Sequence, residues 1–80
     1  MDIISLYYFR EAAKDLHFTN TARRLFISQQ TLSAHIQRLE NYYGVHLFNR
    51  RPSWTLTYYG EQLLKSAEKI VTDSENINKK

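Results

Sequence analysis

The stretch from Thr21 to Glu40, TARRLFISQQTLSAHIQRLE, holds the residues best suited to a chemical task. At helical spacing its second half sets Gln29, Gln30, Thr31, Ser33, Ala34 and Gln37 on one face, with Arg38 at the edge. Leu32, Ile36 and Leu39 fall on the opposite face. Amides, hydroxyls and a methyl group make a hydrogen-bonding surface. A primary amide can meet adenine with two hydrogen bonds, a hydroxyl can pair with either kind of base, and Ala34 or the Thr31 methyl can touch a thymine methyl. Short side chains also let the backbone come close to base edges. Glutamine, serine and threonine are common on solvated surfaces too, so the face alone does not separate a DNA reader from an ordinary exterior.

Other chemistries find little support. His17, His35 and His46 are far apart in sequence, with no carboxylate at ligand spacing and no cysteine anywhere, so no metal or other cofactor is expected. Ser28, His35 and Glu40 are the residue types of a hydrolytic triad. An exposed helix face, however, supplies neither the strained elbow nor the oxyanion hole. No catalytic residue is assigned, and the chain is not expected to be an enzyme. Gly44 and Gly60 are the only glycines, which leaves no phosphate-cradling loop. Tyr7, Tyr8, Phe9, Tyr42 and Tyr43 read as core and interface rather than as a base-stacking platform.

Charge sharpens the picture. The net charge is +3. Between Thr19 and Gly60, Arg23, Arg24, Arg38, Arg50 and Arg51 stand against one acid, Glu40. A basic middle within a near-neutral frame suits a polyanion, or else is a solvated arginine surface. On the first reading Arg23, Arg24, Arg38 and Arg50 lie at the rim where phosphates would be. The helix starts at Thr19 and Ser28 would offer backbone N–H groups to phosphate oxygens. Arg51, Ser53 and Trp54 belong to the segment beyond. There Trp54 either packs that segment on the body or braces Arg51 at a minor groove.

The elements that must hold these residues are short. Leu6, Phe9, Ala13 and Leu16 recur on one side of an amphipathic helix over Ile3–Asp15. Thr19 is read as the cap of a second helix, Asn20 to Phe26, with Ala22 and Leu25 inward. Ile27 plugs the turn. Ser28 caps a third helix, Gln29 to about Tyr43, whose inner stripe is Leu32, Ile36, Leu39 and Tyr43, and Gly44 stops it. Leu47 and Phe48, then Trp54 and Leu56, flank the breaker RRPS and its lone proline, Pro52, as a two-stranded hairpin. Thr57 caps a last helix, Tyr58 to about Asn78, roughly 30 Å long. Helix, short turn, helix, then hairpin is the order of a winged helix-turn-helix. The expected fold is mainly α: three helices plus a short two-stranded wing, followed by a long linker helix.

That last helix carries more apolar surface than a small body can cover. Leu63, Ala67, Ile70, Ser74 and Ile77 alternate four and three apart, with Leu64 and Val71 widening the stripe. Pairing with a second copy is the preferred reading, through Leu63, Leu64, Ala67, Ile70, Val71 and Ser74. The small Ala67 and Ser74 would let another helix approach. The alternatives are packing back on the body or on a downstream domain. At 80 residues the chain is one compact unit at most, and such a chain buries only about 60% of its unfolded surface. No apolar run approaches the roughly 20 residues that span a bilayer. The N-terminus lacks a signal-peptide pattern, and absent cysteine suits a reducing cytoplasm, the expected location.

Taken together, FTNTARRLFISQQTLSAHIQRLENYYGVHLFNR, followed by LT and G, resembles the N-terminal domain of the LysR-type transcriptional regulators. Phe18, Thr19, Ala22, Leu25, Ile27, Ser28, Gln29, Leu32, Ser33, Ile36, Leu39 and Glu40 fit the helix-turn-helix pattern. Gly44, Leu47, Phe48 and Arg50 fit the hairpin start, and Leu56, Thr57 and Gly60 the final helix start. The resemblance implies sequence-specific binding of double-stranded DNA, with the helix begun by Gln29 in the major groove and the 50–55 wing at the minor groove. It also implies a linker helix that pairs antiparallel with its twin, and a tetramer in the full-length protein. A C-terminal effector-binding domain would take the small molecule. The chain is accordingly read as residues 1–57, a DNA-binding domain, and residues 58–80, a linker and dimerisation helix, excised from that longer protein. Gln30 stands where the family usually has proline, and Ala34 where arginine is frequent. Arg51 and Trp54 replace a more basic wing tip. These departures point toward A·T-rich sites. The competing reading is a winged-helix protein-interaction module with an incidental basic face.

Overall fold

A computed structural model describes residues 2–78; Met1, Lys79 and Lys80, the outer ends of the two expected segments, lie outside the described residues. Helix α1 spans Ile3–Asp15, α2 Phe18–Arg24, α3 Gln29–Tyr43 and α4 Tyr58–Asn78, with strands β1 (Phe48–Asn49) and β2 (Thr55–Leu56) between the last two helices. The strands pair antiparallel, Phe48 opposite Leu56 and Asn49 opposite Thr55, around a turn that contains a cis Arg51–Pro52 bond.

Local chemistry explains most boundaries. Asp2 caps α1 by accepting from the Ser5 N–H at 2.8 Å. Ser28 caps α3 by accepting from the Thr31 N–H at 3.0 Å. Gly44, at φ +70, ends α3 in the left-handed conformation that glycine adopts without steric penalty, and its N–H reaches the Glu40 carbonyl at 2.8 Å. Thr57 caps α4, accepting from the Gly60 N–H at 3.0 Å, while its own hydroxyl donates to the His46 carbonyl at 2.6 Å.

Two boundaries and two inward residues differ from expectation. The second helix begins at Phe18 and ends at Arg24, because the cap is His17, whose Nδ1 accepts from the Asn20 N–H at 3.3 Å. Thr19 lies inside the first turn and not at the cap. Ala12, rather than Ala13, is the fully buried alanine of α1, and Tyr43 is 41% exposed because α3 runs past the core before Gly44 stops it. The core itself joins Leu6, Phe9 and Ala12 of α1 to Phe18 and Ala22 of α2, Leu32, Ile36 and Leu39 of α3, Leu47 and Phe48, and Ala67 and Val71 of α4.

Phe26, in the turn between α2 and α3, holds φ +59 with its ring 95% exposed. A left-handed non-glycine residue costs about 1–2 kcal/mol, and glycine gives back about 0.5–1 kcal/mol through its freer unfolded chain. Phe26→Gly is therefore expected to stabilise the fold by about 1 kcal/mol, read from urea midpoints. A lower midpoint would mean that the ring packs in solution.

Candidate nucleic-acid interface

Leu32, Ile36 and Leu39 are almost fully buried, so the opposite side of α3 is turned outward. Gln29, Gln30, Thr31, Ala34 and Gln37 are exposed and Ser33 is half-buried, all on that outward side. The Thr19 hydroxyl donates to Gln29 Oε1 at 3.0 Å, so α2 steadies the first amide of the face. The face is thus carried by a helix fixed on three sides: by its own cap, by α2, and by α1 through a 2.8 Å contact between Ser5 Oγ and His35 Nδ1.

Beside the face runs an open cleft of about 610 Å³, with Ser33 and Gln37 on one wall and Asn49, Arg50 and Arg51 of the wing on the other. Glu40, His46 and Phe48 complete it. Trp54 stacks on Phe18 with ring centroids 4.4 Å apart and planes at 30°, and meets Phe48 edge-on. It therefore packs the wing on the body. The arginine it braces is Arg50 and not Arg51: the Arg50 guanidinium lies 5.1 Å from the Trp54 ring centre and 5.6 Å from that of Phe18. Ser53, at the wing tip, is exposed, as is Arg51.

The remaining expected cations divide. Arg23 is exposed on α2 and makes no ion pair among the described residues. Arg38 is exposed at the edge of the face and pairs with Asp2 at 3.1 Å. Arg24, expected at the phosphate rim, is engaged within the chain by two acids of α1. Its Nη1 meets Glu11 at 2.7 Å, its Nη2 meets Asp15 at 2.8 Å, and it also donates to the Glu11 carbonyl. Glu11 is 4% exposed and further paired with Arg10 and Lys14, both at 3.0 Å. Burial works to raise the Glu11 pKa, but hydrogen bonds from Arg24, Lys14 and Arg10 overcome it and hold the carboxyl at about 2. Arg24 thus ties α2 to α1 inside an ionic junction. Sequence spacing could not reveal this, because both acids lie in a different helix.

The apolar stripe of α4 splits into two rows. Leu64, Ala67, Val71 and Ser74 form the inner row; Ala67 and Val71 are 0% and 3% exposed, packed into this chain's own core. Their expected place in an interface between two copies is corrected accordingly, since the body already covers them. Tyr59, Leu63, Ser66, Ile70 and Ile77 form the outer row, with Ile70 42% and Ile77 68% exposed. At the head of that row, Tyr43, Val45, Leu47, Tyr59 and Leu63 line a shallow, mainly apolar groove. Among the described residues no three of His, Asp or Glu gather as a metal site would require, and no helix is long and apolar enough to cross a membrane.

Residues 3–61 match the family described as bacterial regulatory helix-turn-helix protein, lysR family. The chain belongs to the LysR family. This LysR-type domain is 39% identical over 77 residues to the HTH-type transcriptional regulator XapR of Escherichia coli K12, a match that covers 95% of the chain but 26% of XapR. The chain therefore spans about a quarter of that relative's length. Its fold is a winged helix, superposing on the BenM DNA-binding domain solved with catB site 1 DNA with a TM-score of 0.90 at 29% identity, covering 96% of this chain and 88% of that one. The CbnR DNA-binding domain, solved with DNA, superposes with a TM-score of 0.88 at 29% identity, covering 98% and 91%. Besides bounding helices, as Ser28, Gly44 and Thr57 do, the LysR-type signature residues take two further roles here. Leu32, Ile36, Leu39, Leu47 and Phe48 build the core, while Ser33 and Arg50 line the cleft. His46 and Asn49, which the sequence did not single out as site residues, join them. Asn49 adjoins Arg50 along the chain, but His46 stands four residues before it, and the hairpin brings both to the cleft.

Proposed function

We propose that this chain binds double-stranded DNA sequence-specifically, as the N-terminal domain of a LysR-type transcriptional regulator. The observation that carries the reading is the pairing of an uncharged hydrogen-bonding face on α3 with an arginine braced by aromatic rings across the neighbouring cleft. Gln29, Gln30, Thr31, Ser33, Ala34 and Gln37 read base edges in the major groove, and Arg23, Arg38, Arg50 and Arg51 neutralise phosphates, with the wing over the adjoining minor groove. BenM and CbnR domains of the same shape were solved on DNA, which supports it. Residues 1–57 form the reading unit, and residues 58–80 link it to a twin. The twin packs antiparallel along the outer row of α4, with Leu63 and Ile70 at its centre. The partner's Ile77 end then falls near the groove between Tyr43 and Tyr59. A C-terminal effector domain and a cytoplasmic location follow from the same family reading.

Titrating labelled duplexes selected from a random pool, at several salt concentrations, tests this directly. Log affinity should fall with log salt by about 0.9 for each phosphate neutralised. Gln29→Ala or Ser33→Ala should cost about 1–3 kcal/mol on the selected duplex and relax one base position. Arg50→Ala should weaken binding to every sequence alike. A flat salt dependence, or equal affinity for all duplexes, would favour a protein-interaction module instead.

A further inference from the structure

The three histidines have different surroundings. His17 Nδ1 is spent on the α2 cap, and His35 Nδ1 lies 2.8 Å from the Ser5 hydroxyl with its ring edge-on to Tyr8. The His46 ring makes no hydrogen bond within the described residues, and its side chain is 90% exposed. Its backbone, by contrast, is fixed, because the His46 carbonyl accepts from the Thr57 hydroxyl at 2.6 Å. The ring therefore stands on a rigid base at the mouth of the cleft between α3 and the wing.

We propose that His46 is a phosphate-contacting residue of this cleft, engaged in its protonated form, so that DNA binding takes up a proton. This rests on the DNA-binding reading above. A strand whose bases meet Ser33 and Gln37 must carry its phosphodiesters past the same cleft, toward Arg50 and Arg51. The charged groups facing His46 are few. From α3 comes Glu40, whose carboxylate lies 3.8 Å from His46 Nδ1 and is held in place by the Leu47 N–H at 2.8 Å. From the wing come Arg50 and Arg51; α4 offers the uncharged Thr57. With His46 neutral, two arginines face an approaching phosphate together with one uncompensated carboxylate. A proton on His46 offsets Glu40 and presents an N–H donor to the strand. Histidine is the side chain that makes this change between pH 5 and 8.

The experiment measures affinity for the selected duplex against salt at pH 6 and at pH 8, for the wild-type chain and three variants. For the wild type, the slope of log affinity against log salt should be steeper at pH 6 by about 0.9 per bound chain, one more phosphate neutralised. His46→Gln should show the same slope at both pH values. His46→Lys, permanently charged, should show the steeper slope at both. His17→Asn, which keeps a cap acceptor for α2, should retain the wild-type pH response. The inference is overturned if His46→Gln keeps the wild-type change of slope, or if His17→Asn abolishes it. Failure of the DNA-binding reading looks different: the wild type would then show no duplex preference and no steep slope at either pH.

Discussion

Gly60→Ala should be among the most damaging single-methyl additions in this chain, lowering stability by about 3 kcal/mol. A Cβ at Gly60 would overlap the Leu47 carbonyl oxygen and crowd Leu56 Cδ2 at 3.0 Å. The obstacle is backbone, which cannot rotate aside as a side chain can. That same carbonyl accepts from the Thr57 N–H at 3.0 Å, and Thr57 in turn caps α4 through the Gly60 N–H. Pushing Leu47 away therefore loosens the wing and the start of α4 in one step. Urea unfolding measures the loss; a change under about 0.5 kcal/mol, the range of ordinary surface substitutions, would show that this junction yields more easily than its packing indicates. Because Arg50 hangs on the same wing, duplex binding should weaken along with the fold.

Acid should unfold the protein largely through Glu11. Its carboxyl is held at about 2 when folded, against an ordinary value of 4.5. A group whose folded pKa is depressed stabilises the fold above its unfolded value and loses that contribution as pH falls through the folded one. The stabilisation is thus complete above about pH 5 and disappears between there and about pH 2, an amount of about 3 kcal/mol. Asp15, held below its ordinary range by hydrogen bonds from Thr21 and Arg24, adds to the loss in the same direction. Urea midpoints from pH 7 down to pH 2.5 should fall steeply for the wild type. Glu11→Gln should start lower at pH 7, because it leaves Arg24 and Arg10 without their buried partner, and should fall less. A parallel decline in both proteins would remove Glu11 from the account.

Where a residue's partners are its near neighbours in sequence, the chain could be read directly. Ser28 and Gly44 bound α3 by contacts within four residues, and the period of Leu32, Ile36 and Leu39 is that of the helix they occupy. The outward face of α3 followed at once. Legibility ended where a partner comes from another element. Arg24 looks like any other basic rim residue until Glu11 and Asp15 are brought to it from α1. Ala67 and Val71 fit a stripe for a twin equally well until they are seen to pack into the chain's own core. A cap is a role the sequence leaves open to His17, but its ring nitrogen is a rarer acceptor there than the hydroxyl of Thr19 two residues on, and only the fold decides between them. His46 and Asn49 join the site only because the hairpin folds back beside α3.

Arg10 reaches from α1 to both oxygens of Glu75 on α4 at 3.3 Å, while its Nε holds Glu11. Through Ser5 and His35, the same α1 also grips α3. The last helix, roughly 30 Å long, is therefore a handle fastened to the body near its far end, at Glu75. A torque applied along α4 is passed to α1 through that ion pair. From α1 the Ser5–His35 contact carries it on to α3 and so to the amides of Gln29 and Gln30, as a wrench turns its jaw.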